Sequence, residues 1–196
     1  MRRTMPELIL ASTSIYRRAL LERLQLPFTT VAPGDPETYI PGELPADRAA
    51  RLALAKAQAV ADRRPEALVI GSDQVAALEA EVLDKPGTAE RCRAQLAAAS
   101  GARVRFFTGC ALLGAGGTVR QVHLDTTTVV FRRLSPAQIE RYVAAEQPFD
   151  CAGGFRAEGL GIALFERIEN IDPTALIGLP LIWLAEALRT AGCRVP

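Results

Sequence analysis

Apolar positions along this chain recur at two periods, and their alternation predicts strands interleaved with helices. Leu8-Ile9-Leu10-Ala11 is a short continuous apolar run, the pattern of a buried strand. From Ser14 to Leu24 the apolar residues Ala19, Leu20, Leu21 and Leu24 gather on one helical face, and a strand is expected near Phe28 to Val31. Prolines 33, 36, 41 and 45 with glycines 34 and 42 exclude regular structure from Ala32 to Pro45, which reads as a long exposed loop. Loops of that length are often functional. Pro45 to Arg64 then predicts a long helix, capped by Asp47 or a neighbour.

Ala67 to Leu78 reads as an apolar strand interrupted by Gly-Ser-Asp-Gln, and Thr88 to Ala99 as a helix. Arg103 to Leu113 and Val119 to Arg132 read as two strands joined around Gly114-Ala115-Gly116-Gly117, whose glycines suit a tight reversal. Ser135 opens a helix to about Glu146, with Pro136 in its first turn, where a missing N–H costs nothing. A glycine-rich segment at 153–161 precedes an expected strand Ile162 to Ile168, and Pro180 to Ala191 closes the chain as an amphipathic helix. The class is α/β: a mixed twisted sheet with flanking helices, one domain over 1–196 made of two lobes rather than independent domains.

Composition narrows the partners. With 23 basic and 22 acidic residues the formal net charge is +1, so no overall field draws the protein onto nucleic acid or an anionic membrane. Any anion must be held locally. Cys92, Cys110, Cys151 and Cys193 stand far apart without a C-x-x-C pair, which favours free thiols in a reducing compartment over a zinc site. Ser/His/Asp catalysis would rest on His123, the only histidine, and an ordinary strand position in Val122-His123-Leu124 is the simpler reading. The apolar run after the basic N-terminus is too short for a signal peptide and no stretch approaches a membrane span, so a cytoplasmic location is expected.

Three places break the pattern's own rules. The helix start Ser12-Thr13-Ser14-Ile15-Tyr16-Arg17-Arg18 carries two arginines and no acid before Glu22, although the positive end of a helix favours carboxylates. A bound phosphate would explain it, held by backbone N–H groups, serine hydroxyls and guanidiniums. The alternative is that both arginines point into solvent. Lys56 lies on the apolar stripe of Ala49, Leu52, Ala53 and Val60, while Arg51, Gln58 and Asp62 lie opposite. A buried lysine is costly unless an anion pairs with it, and the alternative is a stem that snorkels to water. Asp73 sits within Leu68-Val69-Ile70-Gly71-Ser72-Asp73-Gln74-Val75-Ala76, where a buried carboxylate needs a cation, a metal or a water to act on; otherwise Gly-Ser-Asp is a turn between shorter strands.

Leu8 through Ser14, Arg17-Arg18, Lys56-Ala57, Gly71-Ser72-Asp73-Gln74, Lys85-Pro86 and Gly178-Leu179-Pro180 together resemble the Maf nucleotide pyrophosphatases, in family order and over nearly the whole chain. The resemblance implies a fold similar to the inosine triphosphate pyrophosphatases (Ham1-like), with two lobes flanking a nucleotide cleft, and usually a homodimer. It implies hydrolysis of a nucleoside triphosphate to monophosphate and pyrophosphate with a divalent metal, Mg or Mn. Carried over by position, Asp73 is the proton acceptor or metal-linked carboxylate, Glu37 helps hold the metal, and Ser12, Arg17, Arg18, Lys56 and Lys85 face the phosphates. Ile15 stands where a proline is usual, and Asp84 stands before Lys85-Pro86 where glycine is usual.

The identities of Tyr16, Gln74 and Glu158 resemble the branch of the family acting on 7-methyl-GTP. The chemistry is coherent: the methylated ring is cationic and suits an aromatic face, and a carboxylate can accept both the N1–H and the exocyclic amine of guanine. Where this chain has Glu158, the dTTP and UTP branch tends to carry glutamine, whose amide complements a pyrimidine edge. The branch usually places tryptophan where Tyr16 stands. The alternatives are pyrophosphatase action on dTTP, UTP or modified pyrimidine nucleotides, and a nucleotide-binding regulator of septum formation without turnover.

Overall fold

The computed structural model describes residues 6–34, 38, 40–114, 116 and 119–196. The first apolar run forms β1 (Leu8–Leu10), buried along its length. It lies parallel to β2 (Thr29–Thr30), pairing Ile9 with Thr29, and parallel to β3 (Leu68–Leu78), pairing Leu8 with Leu68 and Leu10 with Ile70. Parallel neighbours need crossover connections. These are α1 (Ile15–Glu22), from β1 to β2, and α2 (Pro45–Ala61), from β2 to β3. Burial on both faces explains why β1 and the first half of β3 are apolar without alternation.

β3 runs unbroken through Gly71-Ser72-Asp73-Gln74, against the expected interruption. The glycine serves close packing. A Cβ on Gly71 would lie 2.2 Å from the Ala53 carbonyl oxygen and 2.6 Å from the Ala57 nitrogen, so its absence lets the backbone of α2 rest against the strand. Gly109, on the neighbouring strand, does the same for Ala49, whose oxygen would lie 2.3 Å from an added Cβ. Nor is Asp47 the cap of α2: Leu44 occupies the cap without a side-chain bond, Pro45 opens the helix, and Asp47 stands in the first turn against the helix dipole.

The remaining elements are β4 (Glu81–Val82), α3 (Ala89–Ala99), β5 (Arg103–Gly114), β6 (Val119–Phe131), α4 (Pro136–Glu146), β7 (Phe165–Glu169) and α5 (Leu181–Thr190). The sheet order is β2-β1-β3-β5-β6-β7, with β4 antiparallel to the end of β3 and β7 antiparallel to β6. Two-residue β4 is too short for any period to reveal. Thr88 caps α3, and Ser135 with Gln138 forms a reciprocal capping box on α4. The strand expected from Ile162 begins only at Phe165, because Leu160–Leu164 is a 3-10 turn. Gly161 closes that turn tightly, since a Cβ there would lie 2.2 Å from the Arg156 carbonyl oxygen. No helix of the described residues is long and apolar enough to cross a membrane.

The chain divides into two compact units, and the divisions fall within β3, β5 and β6. The first comprises Met1–Asp73, Thr108–Asp125 and Asp172–Pro196. On one face of its sheet Leu8, Leu10, Leu68, Ile70 and Leu112 pack with Leu20 and Leu21 of α1 and Leu184 and Leu188 of α5. On the other, Ile9, Val69 and Ala111 pack with Ala57 and Val60 of α2. The second unit comprises Gln74–Phe107 and Thr126–Ile171. Within it Phe106, Phe131, Phe155 and Phe165 meet edge to face, with centroids 4.8 Å apart for Phe155 and Phe165.

Candidate active site

The strand order β2-β1-β3 places a reversal of winding between β1 and β3, with α1 on one face and α2 on the other. In open α/β sheets ligands collect outside the carboxyl ends of strands at such a point. Ser12 follows β1 here, and the Ala11 N–H donates to the Ile70 oxygen at 2.8 Å, just where β3 enters Gly71-Ser72-Asp73.

Lys56 and Asp73 meet at this level. The Lys56 ammonium donates to Asp73 Oδ1 at 2.6 Å, with only 11% and 10% of the two side chains exposed. The buried lysine and the buried carboxylate thus each supply an opposite charge to the other. The contact depends on the close approach of α2 to Gly71. A buried ion pair is poor value as a stabilising device, because desolvation offsets most of the attraction. Polar groups kept at such cost belong to sites where chemistry needs them.

Four polar side chains fix the neighbouring backbone, Ser72 and Asp172 buried, Arg17 and Thr174 half-buried. Ser72 Oγ, wholly buried, lies 2.8 Å from both the Gly109 and Gly178 carbonyl oxygens. Arg17 Nε donates to the same Gly178 oxygen at 3.0 Å, tying α1 to the segment before α5. Gly178 holds φ at 120°, which L side chains rarely adopt. Asp172 and Thr174 then supply the cap that α5 lacks behind Pro180: Ile182 N–H donates to Asp172 Oδ2 at 2.7 Å, and Leu181 N–H to Thr174 Oγ1 at 2.9 Å. Thr174 and Asp172 reach α5 from seven and ten positions before the N–H groups they bond, too far for a local capping signal to mark them in the sequence.

Around the start of α1, Ser12 is buried and its Oγ accepts from the Ser14 N–H at 3.1 Å, while Ser14 Oγ accepts from the Arg17 N–H at 3.3 Å. The two arginines have different surroundings. Arg17 is half-buried on Gly178, whereas Arg18 is exposed and pairs with Glu22 one turn on at 3.1 Å. Tyr16 is half-buried, and Ile15 is 71% exposed. Arg51, on the opposite stripe of α2, grips Glu43 through two bonds of 2.6 Å and the Thr38 carbonyl at 3.0 Å, fastening the described part of the proline-rich loop. Glu37 lies outside the described residues.

Ser12, Tyr16, Arg17, Arg18, Lys56 and Asp73 thus belong to the first unit, and Gln74, Lys85 and Glu158 to the second. Gln74 is the half-buried residue after Asp73 on β3. Lys85 is exposed between β4 and α3, beside an Asp84 whose carbonyl accepts from Gln95 at 2.8 Å. Glu158 is exposed on a turn that follows Arg156. His123 stacks on Trp183 with centroids 5.1 Å apart, an aromatic packing role. Burial pushes the Cys110 thiol up to about 12 and those of Cys92 and Cys151 to about 11, so none of the three is a thiolate nucleophile at neutral pH.

No three His, Cys, Asp or Glu side chains among the described residues form a metal-holding group. A hard divalent cation fits nonetheless in the manner of magnesium, which takes one or two carboxylates and completes its sphere with substrate oxygens and water. Asp73 could supply one such carboxylate.

The family model of the Maf-like proteins matches residues 7–191. A 7-methyl-GTP pyrophosphatase of Xanthomonas axonopodis pv. citri is 58% identical over 193 residues, spanning 98% of this chain and 100% of that protein. A protein of the same name from Pseudomonas syringae pv. tomato is 53% identical over 192 residues, again 98% and 100% of the two chains. Among solved structures, the Ham1 protein of Staphylococcus aureus aligns with 64% of this chain and 71% of its own at 15% identity, with a TM-score of 0.46. With the family model spanning nearly the whole chain and relatives more than half identical from end to end, this chain belongs to the Maf-like protein family.

Proposed function

We propose that this chain is a nucleoside triphosphate pyrophosphatase that hydrolyses 7-methyl-GTP to 7-methyl-GMP and diphosphate. The buried Lys56–Asp73 pair at the carboxyl end of the parallel strands carries the reading of the chemistry. Relatives more than half identical over their whole length bear the name of that activity, which supports the substrate.

Water attacks the α-phosphorus, its proton passes to Asp73 Oδ2, and the bond from the α-phosphorus to the bridging oxygen breaks with its electron pair leaving on diphosphate. Lys56 holds Oδ1 and so keeps the carboxylate in one orientation for its work as base. Asp73 and, by the family resemblance, Glu37 would hold a divalent cation, Mg2+ or Mn2+, which would supply charge neutralisation for the triphosphate. Ser12, Arg17, Arg18 and Lys85 offset the charge of the triphosphate. Arg18 exchanges Glu22 for phosphate at little cost, since an exposed pair is worth about 0–1 kcal/mol. Glu158 accepts the N1–H and amine of the methylated guanine, Tyr16 stacks on the ring, and Gln74 borders the base. The family resemblance alone supports the further reading of a cytoplasmic homodimer that removes an aberrant nucleotide.

A nucleotide panel with magnesium or manganese tests the substrate. The expected kcat/KM for 7-methyl-GTP exceeds those for dTTP, UTP and GTP by roughly tenfold or more. Faster hydrolysis of dTTP overturns the assignment in favour of a pyrimidine nucleotide.

A further inference from the structure

Side chains on exposed turns ordinarily sample many orientations, yet the turn that carries Glu158 is anchored at both ends to α4. Before it, the Arg156 N–H donates to Tyr142 Oη at 3.1 Å. After it, the Leu160 N–H donates to Glu146 Oε2 at 2.8 Å. The Arg156 guanidinium lies 3.5 Å from Glu146 Oε1 and 3.0 Å from Asp150 Oδ1, and the turn closes through Gly159 N–H to Arg156 O at 3.3 Å.

Glu146 stands where physics disfavours it. It is the last residue of α4, at the end of a helix where the dipole favours cations. Its side chain is only 15% exposed. Gly159 makes room for it: a Cβ there would lie 2.7 Å from Oε1 and 2.9 Å from Oε2, so the carboxylate fills the place of a side chain under the turn. Tyr142 is 3% exposed, and burial holds its phenol well above the ordinary range, so it stays a neutral partner throughout the working range of pH.

We infer that Glu146 is a positioning residue for base selection, holding the Arg156–Leu160 turn so that Glu158 meets the base in one orientation. This rests on the reading of Glu158 as the base-reading carboxylate. Recognition groups gain affinity when their supports are rigid, because the cost of ordering them is met in the fold. The turn is small, exposed and overdetermined, which is more bracing than a solvent loop needs.

The test compares kcat and KM for 7-methyl-GTP and dTTP in the full chain and in Glu146→Ala, Glu146→Gln, Tyr142→Phe, Glu158→Gln and the Glu146→Ala/Glu158→Gln double variant. Glu146→Ala is expected to raise KM for 7-methyl-GTP about tenfold, the worth of one hydrogen bond to a charged group, with kcat and the dTTP constants within about twofold. Glu146→Gln keeps an acceptor for the Leu160 N–H and recovers most of the loss. Tyr142→Phe, which keeps the buried ring, moves KM the same way by about threefold. The double variant is no worse than Glu158→Gln, because Glu146 acts through it. If Glu158→Gln reduces selectivity while Glu146→Ala and Tyr142→Phe leave it intact, or if the two losses multiply, the positioning role is overturned. If Glu158→Gln itself leaves selectivity unchanged, the base-reading assignment fails first.

Discussion

Lys56 Nζ stands 2.6 Å from Asp73 Oδ1, and neither side chain has more than about a tenth of its surface exposed. Removing Lys56 strands the Asp73 carboxylate, which costs about 3–5 kcal/mol, whereas removing both is close to neutral. Lys56→Met is therefore expected to lower stability by roughly that amount in denaturant titration, and Lys56→Met/Asp73→Leu to recover most of it. Both variants lose turnover. A Lys56→Met protein as stable as the parent contradicts the buried pairing.

Gly71→Ala tests what brings the pair together. The new Cβ would meet backbone atoms of α2, 2.2 Å from the Ala53 oxygen and 2.6 Å from the Ala57 nitrogen, and no side-chain rotation relieves that. Displacement of α2 is expected to cost about 1–3 kcal/mol and to reduce kcat by more than tenfold through misplacement of Lys56. Thermal unfolding beside steady-state kinetics measures both. A variant with parental kcat places the chemistry elsewhere.

The thiols give a prediction with a definite sign. A raised pKa lowers the thiolate fraction at a given pH, and Cys92 and Cys151 at about 11 and Cys110 at about 12 stand well above the free thiol. At pH 8 the native protein is expected to react with iodoacetamide at these positions about a hundredfold or more slowly than the unfolded chain. Mass spectrometry of the alkylated residues reads this directly. Rapid labelling of Cys110 in the native state contradicts its burial.

Asp172→Ala removes the acceptor of the Ile182 N–H and of both the N–H and hydroxyl of Thr174. A loss of about 2 kcal/mol is expected, the scale of a lost helix cap. Gly178 lies between this network and Arg17, so kcat/KM falls as well. Calorimetry with kinetics checks the two effects, and a neutral result for stability contradicts the capping role.

Lys56 and Asp73 were legible in the sequence because each breaks a strong local rule: a cation on an apolar stripe and a carboxylate inside an apolar strand. That they pair was not legible. Their meeting depends on how near α2 comes to β3, which is set by Gly71 against Ala53 and Ala57, and a glycine in an apolar run signals a turn and a close contact equally well. The same ambiguity produced the expected break in β3. Periodicity located five helices and the longer strands, but it took Ile162 for a strand start when tight closure at Gly161 makes a 3-10 turn there. The bracing of Glu158 by Glu146 and Tyr142 joins residues of α4 to a loop more than ten positions away, a contact that only tertiary packing reveals.

Hydrolysis of 7-methyl-GTP in oxygen-18 water, with mass spectrometry of both products, tests most directly the claim that water attacks the α-phosphorus with help from Asp73. One labelled oxygen in 7-methyl-GMP, unlabelled diphosphate, and a kcat reduced about 10²–10⁴-fold in Asp73→Asn are expected. Label in diphosphate, orthophosphate as the first product, or an Asp73→Asn enzyme with parental turnover would contradict it.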